Sequence, residues 1–516
     1  MKKNNAVYLI VLAALLPVLL LRDYTPSNEL RYLSIVDEAL REGSFFAFTN
    51  QGIPYADKPP LYFWAIMLGR WLFGGHCMAF LSLFSLIPAF VITRVMDRWT
   101  AGALSGQTRS TGRWMMLSCG LFLGMMIILR QDMLMCMFIV LALRSFYRML
   151  TGEGRLRREQ LLFPLYVFLA IFSKGPVGIL VPLVGTVVYL LLTRRIRTIG
   201  RYWGWRTWGI LLLLCGAWFG CVYAEGGADY LDNLLFHQTL DRAVNAFHHE
   251  EPFYFYAVSI WYSMFPWSLL AIGTIAVALW RGVVRTEQQR FFLTIAAVTF
   301  VMLSAISSKI DVYLLPAFPF VLYLTLLVSP DLRWNRWQAA AVAVPAVVFC
   351  LALPAVIVLA RLEDTRFVGQ VLFYAAATLL SAAGATALYR LYGRRRLDTA
   401  IRTIACGLFA AVFVGGWALP KINGEIGYGE LCRTSMQVAA QRNLSGYCVC
   451  GVSRPEGMDV YLGEDVRIVS WEEIAAGELH GTVLMLPVRS LGELEKNVPT
   501  AEVCDVVGRY AVVALS

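Results

Sequence analysis

The plainest indication of the fold is the segment AAAVAVPAVVFCLALPAVIVLA, Ala339–Ala360, whose 22 residues include no charged side chain. About 20 apolar residues in a helix cross the hydrocarbon core of a bilayer. Comparable runs recur from Ala6–Leu21 to Thr403–Leu419, and we predict about thirteen spans. The runs are continuous rather than alternating, so the pattern favours a multi-pass α-helical membrane protein over a transmembrane barrel.

The composition agrees with this interpretation. Of the 516 residues, 58% are hydrophobic and only 16% are charged, whereas a soluble domain has about 25% charged residues. A disordered chain and a small disulfide scaffold are excluded. The formal net charge is +10, but the Lys and Arg residues gather in short loops between apolar runs. We therefore expect the membrane as a partner and no nucleic acid, because no basic stripe alternates with aromatic residues.

The distribution of basic residues predicts the orientation of the chain. If the N-terminus is cytoplasmic, the cytoplasmic segments hold 26 of the 45 Lys and Arg residues, and the outer face before Lys421 holds 11. This bias satisfies the positive-inside rule, and an odd number of spans places the C-terminus outside. Lys2 and Lys3 precede the first apolar run as in a signal peptide, but no small-residue cleavage site follows, so we expect an uncleaved first span.

The chain changes character after residue 420. Residues 421–516 are charged and punctuated by Gly. We predict a small extracytoplasmic α/β domain there, following a transmembrane domain over residues 1–420. The predicted elements of this tail are strands at Tyr447–Val452, Arg467–Ser470, Thr482–Leu486 and Tyr510–Leu515 and a helix at Glu430–Arg442.

Four of the eleven cysteines lie in this tail, at Cys432, Cys448, Cys450 and Cys504. A structural disulfide among them is one alternative, and free thiols are the other. Cys448 and Cys450 are separated by a single residue, which is not the C-x-x-C spacing of redox and zinc sites.

The polar residues of the transmembrane domain collect at the outer ends of the predicted spans. They occupy the loops at residues 22–60 and 225–252 and short turns at 130–132, 173–176 and 307–311. A transporter usually has ionisable residues within its spans, and these spans are nearly free of charge. We therefore expect a site at the outer interface that acts on an extracytoplasmic or lipid-borne substrate.

Isolated basic residues stand on this outer face against the positive-inside bias. They are Arg31, Lys58, Arg130, Lys174, Arg242 and Lys309. Each can extend to the outer head groups. Alternatively, several converge on a phosphate, for which Arg offers a bidentate fork and Lys a point charge. The sequence leaves both interpretations open.

The second outer loop contains three of the five His residues within thirteen positions, His237, His248 and His249. With Asp241 nearby, such a cluster can bind zinc or another divalent ion, and a hydrated interfacial loop is the other interpretation. The chain has no P-loop and no G-x-G-x-x-G motif, so no nucleotide cofactor is expected.

Six segments, in chain order, resemble the PMT-like branch of the GT-C glycosyltransferases and, within it, the 4-amino-4-deoxy-L-arabinose lipid A transferases. The segments are Asn28-Glu29-Leu30-Arg31-Tyr32, Asp57-Lys58-Pro59-Pro60, Arg130-Gln131-Asp132-Met133, Ser173-Lys174-Gly175, Phe236-His237 with Arg242 and His248, and Ser308-Lys309 with Tyr313 and Pro316. The resemblance extends from Ala6 to about Leu419 and implies the GT-C fold.

The resemblance also implies an activity. Such an enzyme takes a sugar from a polyprenyl-phosphate donor, without a nucleotide sugar, and transfers it with inversion to a lipid A-type phosphoglycolipid, another glycan or a protein. It lies in the bacterial inner membrane. The implied ligands of the donor phosphate are Arg31, Lys58, Lys174, Arg242, Lys309 and Tyr313. Asp57 and His237 fall on positions that bind a divalent metal, Zn or Mg/Mn.

One position departs from the family pattern, because Asn28 stands where the family has a catalytic Asp. An amide neither accepts a proton as a base nor carries a negative charge. Three accounts are open: an ionised phosphate acceptor needs no base, Glu29 or Asp132 takes the role, or the chain is inactive. We favour the first two, since the phosphate-binding positions are retained, and the candidate catalytic residues are Glu29, Asn28 and Asp132.

Other functions remain as alternatives. A flippase or transporter of a lipid-linked substrate would have broken helices near the bilayer midplane, and the candidates, Gly175-Pro176 and Pro266, lie near the outer ends of spans. An oligosaccharide ligase or a protein O-glycosyltransferase would use the same chemistry as the main interpretation.

Overall fold

The computed structural model describes residues 2–236, 251–329, 334–477, 479–498 and 501–515. The chain divides into two units, each of which joins segments that are distant in sequence. The first unit comprises Met1–Leu16, Ala56–Tyr62 and Ala79–Gly415, and the second comprises Pro17–Tyr55, Phe63–Met78 and Gly416–Ser516.

The first unit is helical. Its main helices are Lys2–Leu21, Met78–Trp99, Gly106–Leu117, Gly120–Ile127, Asp132–Thr151, Leu156–Lys174, Val177–Leu192, Trp205–Asp232, Phe255–Ser263, Ser268–Trp280, Glu287–Ala305, Phe318–Val328, Arg336–Cys350, Ala352–Leu359, Val371–Leu388 and Leu397–Gly416, the first of which continues into the second unit. Short helical turns follow at Ile196–Arg201, Asp311–Ala317, Glu363–Gly369 and Tyr389–Gly393.

Many of these helices are apolar enough to cross a membrane. In the described part of the chain, eight have the necessary length and composition, or nine if the bent first helix and the helix that follows it count as one span. The predicted multi-pass helical membrane protein is confirmed. The predicted count of thirteen includes shorter runs such as Val177–Leu192 and stays a prediction.

An aromatic cluster surrounds Trp99 in the first unit. The indole of Trp99 lies 5.3 Å from the ring of Tyr147, 5.0 Å from Phe292 and 6.1 Å from Phe320, measured between centroids. Such edge-on contacts add to the stability gained by burying the rings. They tie together four helices: Met78–Trp99, Asp132–Thr151, Glu287–Ala305 and Phe318–Val328.

The tail folds as a five-stranded mixed sheet in the second unit. Its strands are β3 (Tyr447–Val449), β4 (Arg467–Ile468), β5 (Thr482–Pro487), β6 (Glu502–Val507) and β7 (Tyr510–Leu515), and the order across the sheet is β4-β3-β5-β7-β6. Strand β3 pairs in parallel with β4 and β5, whereas β7 pairs antiparallel with β5 and β6. The helices around it are Gly429–Arg442, Asp459–Leu462, Trp471–Ala475 and Leu491–Asn497, with shorter turns at Leu419–Lys421, Asn423–Ile426, Pro455–Met458 and Val488–Ser490.

The predicted α/β tail is therefore confirmed, with one strand missed. Four predicted strands correspond to β3, β4, β5 and β7, and the predicted helix begins one residue earlier, at Gly429. Strand β6 escaped prediction because it is an edge strand, whose Val503 and Val506 are exposed, and because a register shift interrupts it. The pattern of alternating buried residues is lost at such an edge.

The first outer loop also belongs to the second unit. It contains a π-helical turn at Pro26–Leu30, the helix Arg31–Glu42, the hairpin of β1 (Thr49–Asn50) and β2 (Ile53–Pro54), and most of the helix Leu61–Phe73. The predicted domain boundary at residue 420 was placed where the last predicted span ends. The division into two units does not test this boundary.

Asp23 links the first outer loop to the C-terminal tail through hydrogen bonds. Its carboxylate accepts a hydrogen bond from the backbone N–H of Gly429 at 2.7 Å and another from the hydroxyl of Tyr461. Burial, together with the nearby Asp23 carboxylate, raises the pKa of Tyr461, so this hydroxyl stays protonated and can donate. The hydroxyl of Ser34 also donates to Asp459 at 2.8 Å. Hydrogen bonds to charged groups are stronger than neutral ones, so the loop and the tail form one packed body.

The cysteines of the tail are free, so the disulfide alternative is wrong. Cys432, Cys448 and Cys450 are buried, and Cys448 and Cys450 pack in the core beside Leu484 and Val513. Burial raises the pKa values of the Cys432 and Cys448 thiols, which makes them unreactive core residues.

Candidate active site

A cavity of about 390 Å³ opens within the first unit at the ends of several helices. Five polar side chains line it: Asp57, Lys58, Lys174, Ser308 and Tyr313. The remaining wall is largely apolar and includes Ile171, Leu180, Cys215, Trp218, Phe219, Leu234, Leu303 and Ile306. Ligand cavities commonly combine apolar walls with a few placed polar groups.

The turn after the helix Leu156–Lys174 places Lys174 in this cavity. Gly175 has a φ of 102°, which only Gly adopts readily, and its N–H donates to the carbonyl of Ile171 at 2.6 Å. Pro176 follows and precedes the helix Val177–Leu192. The Gly-Pro pair therefore reverses the chain between two separate helices, and the lysine remains at the tip of the first one.

Asp132 holds two of the predicted basic residues in place. It is the first residue of the helix Asp132–Thr151 and is 1% exposed. Its Oδ1 pairs with the ammonium of Lys174, and its Oδ2 lies 3.0 Å from Nε of Arg130. A negative charge at a helix start is also favoured by the helix dipole. Both carboxylate oxygens are thus engaged, and Asp132 does not line the cavity itself.

Lys58 also lines the cavity, beside a second carboxylate. Its ammonium lies 3.0 Å from Oδ2 of Asp57, and both side chains are largely buried. The two residues precede Pro59-Pro60 and the helix that begins at Leu61. Proline is favoured at such helix starts, so the motif fixes where Lys58 leaves the backbone.

Tyr313 and Lys309 have different surroundings. The ring of Tyr313 lies 4.6 Å from the ammonium of Lys174, a cation–π distance. Lys309 is buried, and its ammonium donates to the carbonyl oxygens of Glu251 at 2.7 Å and Ser307 at 3.4 Å. Lys309 does not line the cavity, and these contacts give it a structural role in joining two chain segments.

The charges around the cavity favour an anion. Lys58, Arg130 and Lys174 carry three positive charges, and Asp57 and Asp132 carry two negative ones. Because the walls are apolar, the excess charge is poorly screened and acts strongly on a bound group. An anionic head attached to a hydrocarbon chain satisfies both features of the cavity.

Glu29 is enclosed in the second unit. It is 0% exposed, and Arg22 binds its carboxylate with two parallel hydrogen bonds of 2.6 and 2.7 Å. The backbone N–H and hydroxyl of Thr25 also donate to it, at 2.7 and 2.9 Å. Arg22 was missed by the sequence analysis, although its charge at the end of the first apolar run, seven residues before Glu29, is a visible signal.

Asn28 and Arg31 lie close together, three residues apart in the chain. A guanidinium N–H of Arg31 donates to Oδ1 of Asn28 at 3.3 Å, and the guanidinium carbon lies 5.6 Å from the ring centroid of Tyr55. These contacts restrict the guanidinium of Arg31, whose planar fork is of the kind that binds a phosphate in a bidentate manner.

The described residues do not by themselves fit a divalent metal. They contain no group of three His, Cys, Asp or Glu side chains suited to holding an ion, and the Asp57 carboxylate is paired with Lys58. His237, Arg242, His248 and His249, which the sequence analysis singled out, lie outside the described residues. The metal and the second-loop ligands therefore stay predictions.

The sequence matches no protein-family model, but it is similar to individual proteins. It is 27% identical over 327 residues to an uncharacterized protein of Aquifex aeolicus, with 61% of this chain and 62% of that protein covered. It is 25% identical over 310 residues to the undecaprenyl phosphate-alpha-4-amino-4-deoxy-L-arabinose arabinosyl transferase of Erwinia tasmaniensis, with 58% and 54% covered. A second such transferase of Pseudomonas fluorescens is 25% identical over 358 residues, with 66% and 58% covered.

Solved structures extend the likeness over the whole chain. ArnT from Cupriavidus metallidurans bound to undecaprenyl phosphate superposes with a TM-score of 0.78 at 18% identity, covering 99% of this chain and 98% of that one. The apo state gives a TM-score of 0.77 at 19% identity, with 100% and 99% covered. The chain thus has the GT-C fold of ArnT, and the predicted resemblance is confirmed. In sequence it spans little more than half the length of the curated relatives that it matches.

Proposed function

We propose that this ArnT-like membrane protein is a glycosyltransferase that moves a sugar from a polyprenyl-phosphate donor to an extracytoplasmic acceptor, with inversion. The observation that carries the proposal is the cavity in which Lys58, Lys174 and Tyr313 meet an apolar wall. A polyprenyl phosphate has the matching parts, since its phosphate is anionic and its chain is hydrocarbon. The similarity to transferases of undecaprenyl phosphate-linked aminoarabinose supports the same assignment.

The chemistry follows from the charges. An acceptor oxygen attacks the anomeric carbon from the side opposite the phosphate, a new C–O bond forms, and the bond between the sugar and the phosphate oxygen breaks. The bonding electrons leave with the polyprenyl phosphate, whose negative charge grows in the transition state. Lys58 and Lys174 neutralise that growing charge, and fixed charges in a dry cavity are the most effective kind of such stabilisation.

The acceptor is proposed to be an ionised phosphate, as in a lipid A-type phosphoglycolipid. Asn28 cannot act as a base, and the oxygens of Glu29 and Asp132 are occupied by cations. An ionised phosphate oxygen needs no base. Catalytic roles for Glu29, Asn28 and Asp132, and phosphate binding by Arg31, Arg242 and Lys309, remain predictions from the resemblance. A divalent metal at Asp57 and His237 also remains a prediction from the resemblance, and no step of the reaction is assigned to it.

The proposed location is the bacterial inner membrane, with the N-terminus in the cytoplasm and the C-terminal domain on the periplasmic side. The support is the excess of Lys and Arg in the segments that this orientation makes cytoplasmic.

The decisive experiment uses the full chain in proteoliposomes that contain lipid A and one of several undecaprenyl-phosphate sugars, analysed by mass spectrometry of the lipids. We expect a sugar-modified acceptor and an equal amount of released undecaprenyl phosphate. Transfer to a peptide Ser or Thr instead would identify a protein O-glycosyltransferase. Movement of an intact donor across the bilayer without release would identify a flippase and contradict the proposal.

A further inference from the structure

A second cavity in the first unit lies far from the candidate active site. It measures about 710 Å³ and is lined by the ends of two helices that pack against each other, with Tyr189 and Phe291 in ring contact at 5.0 Å. Its lining residues are Tyr189, Leu192, Thr193, Arg194, Arg195, Arg285, Glu287, Arg290, Leu293 and Thr294. We refer to this set as the arginine groove.

The arginine groove faces the opposite leaflet from the candidate active site. Val177–Leu192 begins at the active-site cavity and ends at the groove, whereas Glu287–Ala305 begins at the groove and ends at the active-site cavity. A helix of 16 residues is about 24 Å long, close to the thickness of the hydrocarbon core. The groove is therefore at head-group level in the other leaflet, whichever way the chain is inserted.

The groove has an excess of positive charge. Of its four arginines, Arg195 pairs with the carboxylate of Glu287 at 2.5 Å, and Tyr189 donates to the same carboxylate at 3.4 Å. The guanidinium groups of Arg194, Arg285 and Arg290 contact no carboxylate among the described residues, and that of Arg285 donates to the carbonyl of Gly282 at 3.2 Å. The positive-inside rule requires basic residues in the loops of this face, but it does not require them to surround one groove.

The backbone of Arg194 supports a specific use. Its φ of 58° is left-handed, a conformation that a helix end usually gives to Gly and that is unfavourable for a long side chain. The turn places Arg194 and Arg195 next to each other on the rim. Leu192 and Leu293 add an apolar border to the arginines, as a lipid that carries both phosphate and acyl chains requires.

We propose that the arginine groove binds the head group of an anionic phospholipid. A head group with two phosphates, such as that of cardiolipin, matches the groove best. Arg194, Arg285 and Arg290, which pair with no carboxylate in the part of the chain that the structure describes, would supply the forks for the phosphodiesters. The inference does not rest on the proposed function, because lipid binding is measured without donor or acceptor.

The test compares lipid binding by the purified full chain and by the double variant Arg285→Gln/Arg290→Gln. Native mass spectrometry in detergent reports bound cardiolipin, phosphatidylglycerol and phosphatidylcholine separately. We expect cardiolipin to bind most tightly and phosphatidylcholine least. Each arginine near an anionic lipid contributes roughly fivefold in affinity, so the double variant should bind cardiolipin about 30-fold more weakly.

A matched control removes the same charge from the same face outside the groove. Arg157 and Arg158 are exposed at the start of the helix whose other end carries Lys174, and Arg157→Gln/Arg158→Gln should leave cardiolipin binding within about twofold.

If the groove variant does not fold, Arg290→Gln alone should weaken binding about fivefold. Equal binding by the wild type and the groove variants overturns the proposal. Binding of inorganic phosphate or glycerol phosphate without binding of cardiolipin also overturns it, because that result would identify a site for a soluble phosphate.

Discussion

The ammonium of Lys174 pairs with the carboxylate of Asp132 where two helix ends meet, and the two side chains are 6% and 1% exposed. Arg130 occupies the other oxygen of the same carboxylate. One buried carboxylate therefore fixes two cations at the edge of the candidate active site. Its position explains why Lys174 reaches the cavity while Asp132 does not, and it makes Asp132 a positioning residue.

Replacement of Asp132 by Asn should destabilise the protein strongly. The amide leaves Lys174 and Arg130 without a carboxylate, and removing one partner of a buried ion pair costs about 3–5 kcal/mol. Thermal unfolding of the purified chain in detergent measures the effect. Glu153→Gln, which removes the partner of Arg144 in a more exposed pair, is the control and should change stability little. Equal stability of the two variants would show that the Asp132 pair has no structural role.

Replacement of Lys58 by Gln should slow transfer more than it weakens donor binding. The apolar wall still holds the polyprenyl chain, but one charge that stabilises the leaving phosphate is lost, at a cost of about 10²–10³ in kcat. Initial rates in proteoliposomes at several donor concentrations separate kcat from KM. Lys58→Arg should retain more activity than Lys58→Gln, and Lys421→Gln, an exposed lysine outside the cavity, should retain all of it. An unchanged kcat for Lys58→Gln would remove Lys58 from the proposed site.

The sequence predicted this site unevenly, for physical reasons. Lys58, Lys174 and Tyr313, which line the cavity, were singled out because the two lysines on the outer face oppose the topology rule and because all three residues match family motifs. The difference between Lys174, which lines the cavity, and Lys309, which binds backbone carbonyls, was not predictable. Both are isolated lysines at the ends of apolar runs, and only packing in three dimensions decides where each ammonium points.

The fold was predicted where burial produces a long pattern. The apolar runs and the strands β5 and β7 are continuous hydrophobic segments, so their elements follow from the sequence. The attachment of the first loop to the tail depends on Asp23 meeting Gly429 and Tyr461. These residues are about 400 positions apart, and no local pattern records such a contact.

The Glu29→Gln variant tests whether Glu29 is essential. Gln cannot neutralise Arg22, so the buried guanidinium loses its charge partner and stability should fall by about 3–5 kcal/mol. Transfer activity in membranes should fall as well, and unchanged transfer would contradict any essential role. The double variant Arg22→Met/Glu29→Leu separates the two explanations, because it removes both charges. If Glu29 only supports the loop, the double variant should regain most of the stability and some activity; if Glu29 is catalytic, activity should stay lost when stability returns.

The stability of the protein should also depend on pH through Asp459. Burial, the largest cause, raises the pKa of this carboxyl from 3.8 to about 6. The nearby charges of Asp37 and Asp465 act in the same direction, and the hydrogen bonds from Ser34 and the N–H of Val460 oppose them. Because the folded chain holds the proton more tightly than the unfolded one, the stabilisation is full below about pH 4 and is lost as the pH rises through 6. The loss at pH 7 is about 3 kcal/mol.

Asp459→Asn should remove this dependence, because the amide is neutral throughout and can still accept from the N–H of Val460 and donate to Ser34. We expect the variant to be more stable than the wild type at pH 7 and closer to it at pH 4, as measured by thermal unfolding in detergent at both values. Glu495→Gln, at an exposed position of the same unit, should keep the wild-type dependence of stability on pH. If Asp459→Asn keeps the wild-type dependence of stability on pH, another group causes that dependence.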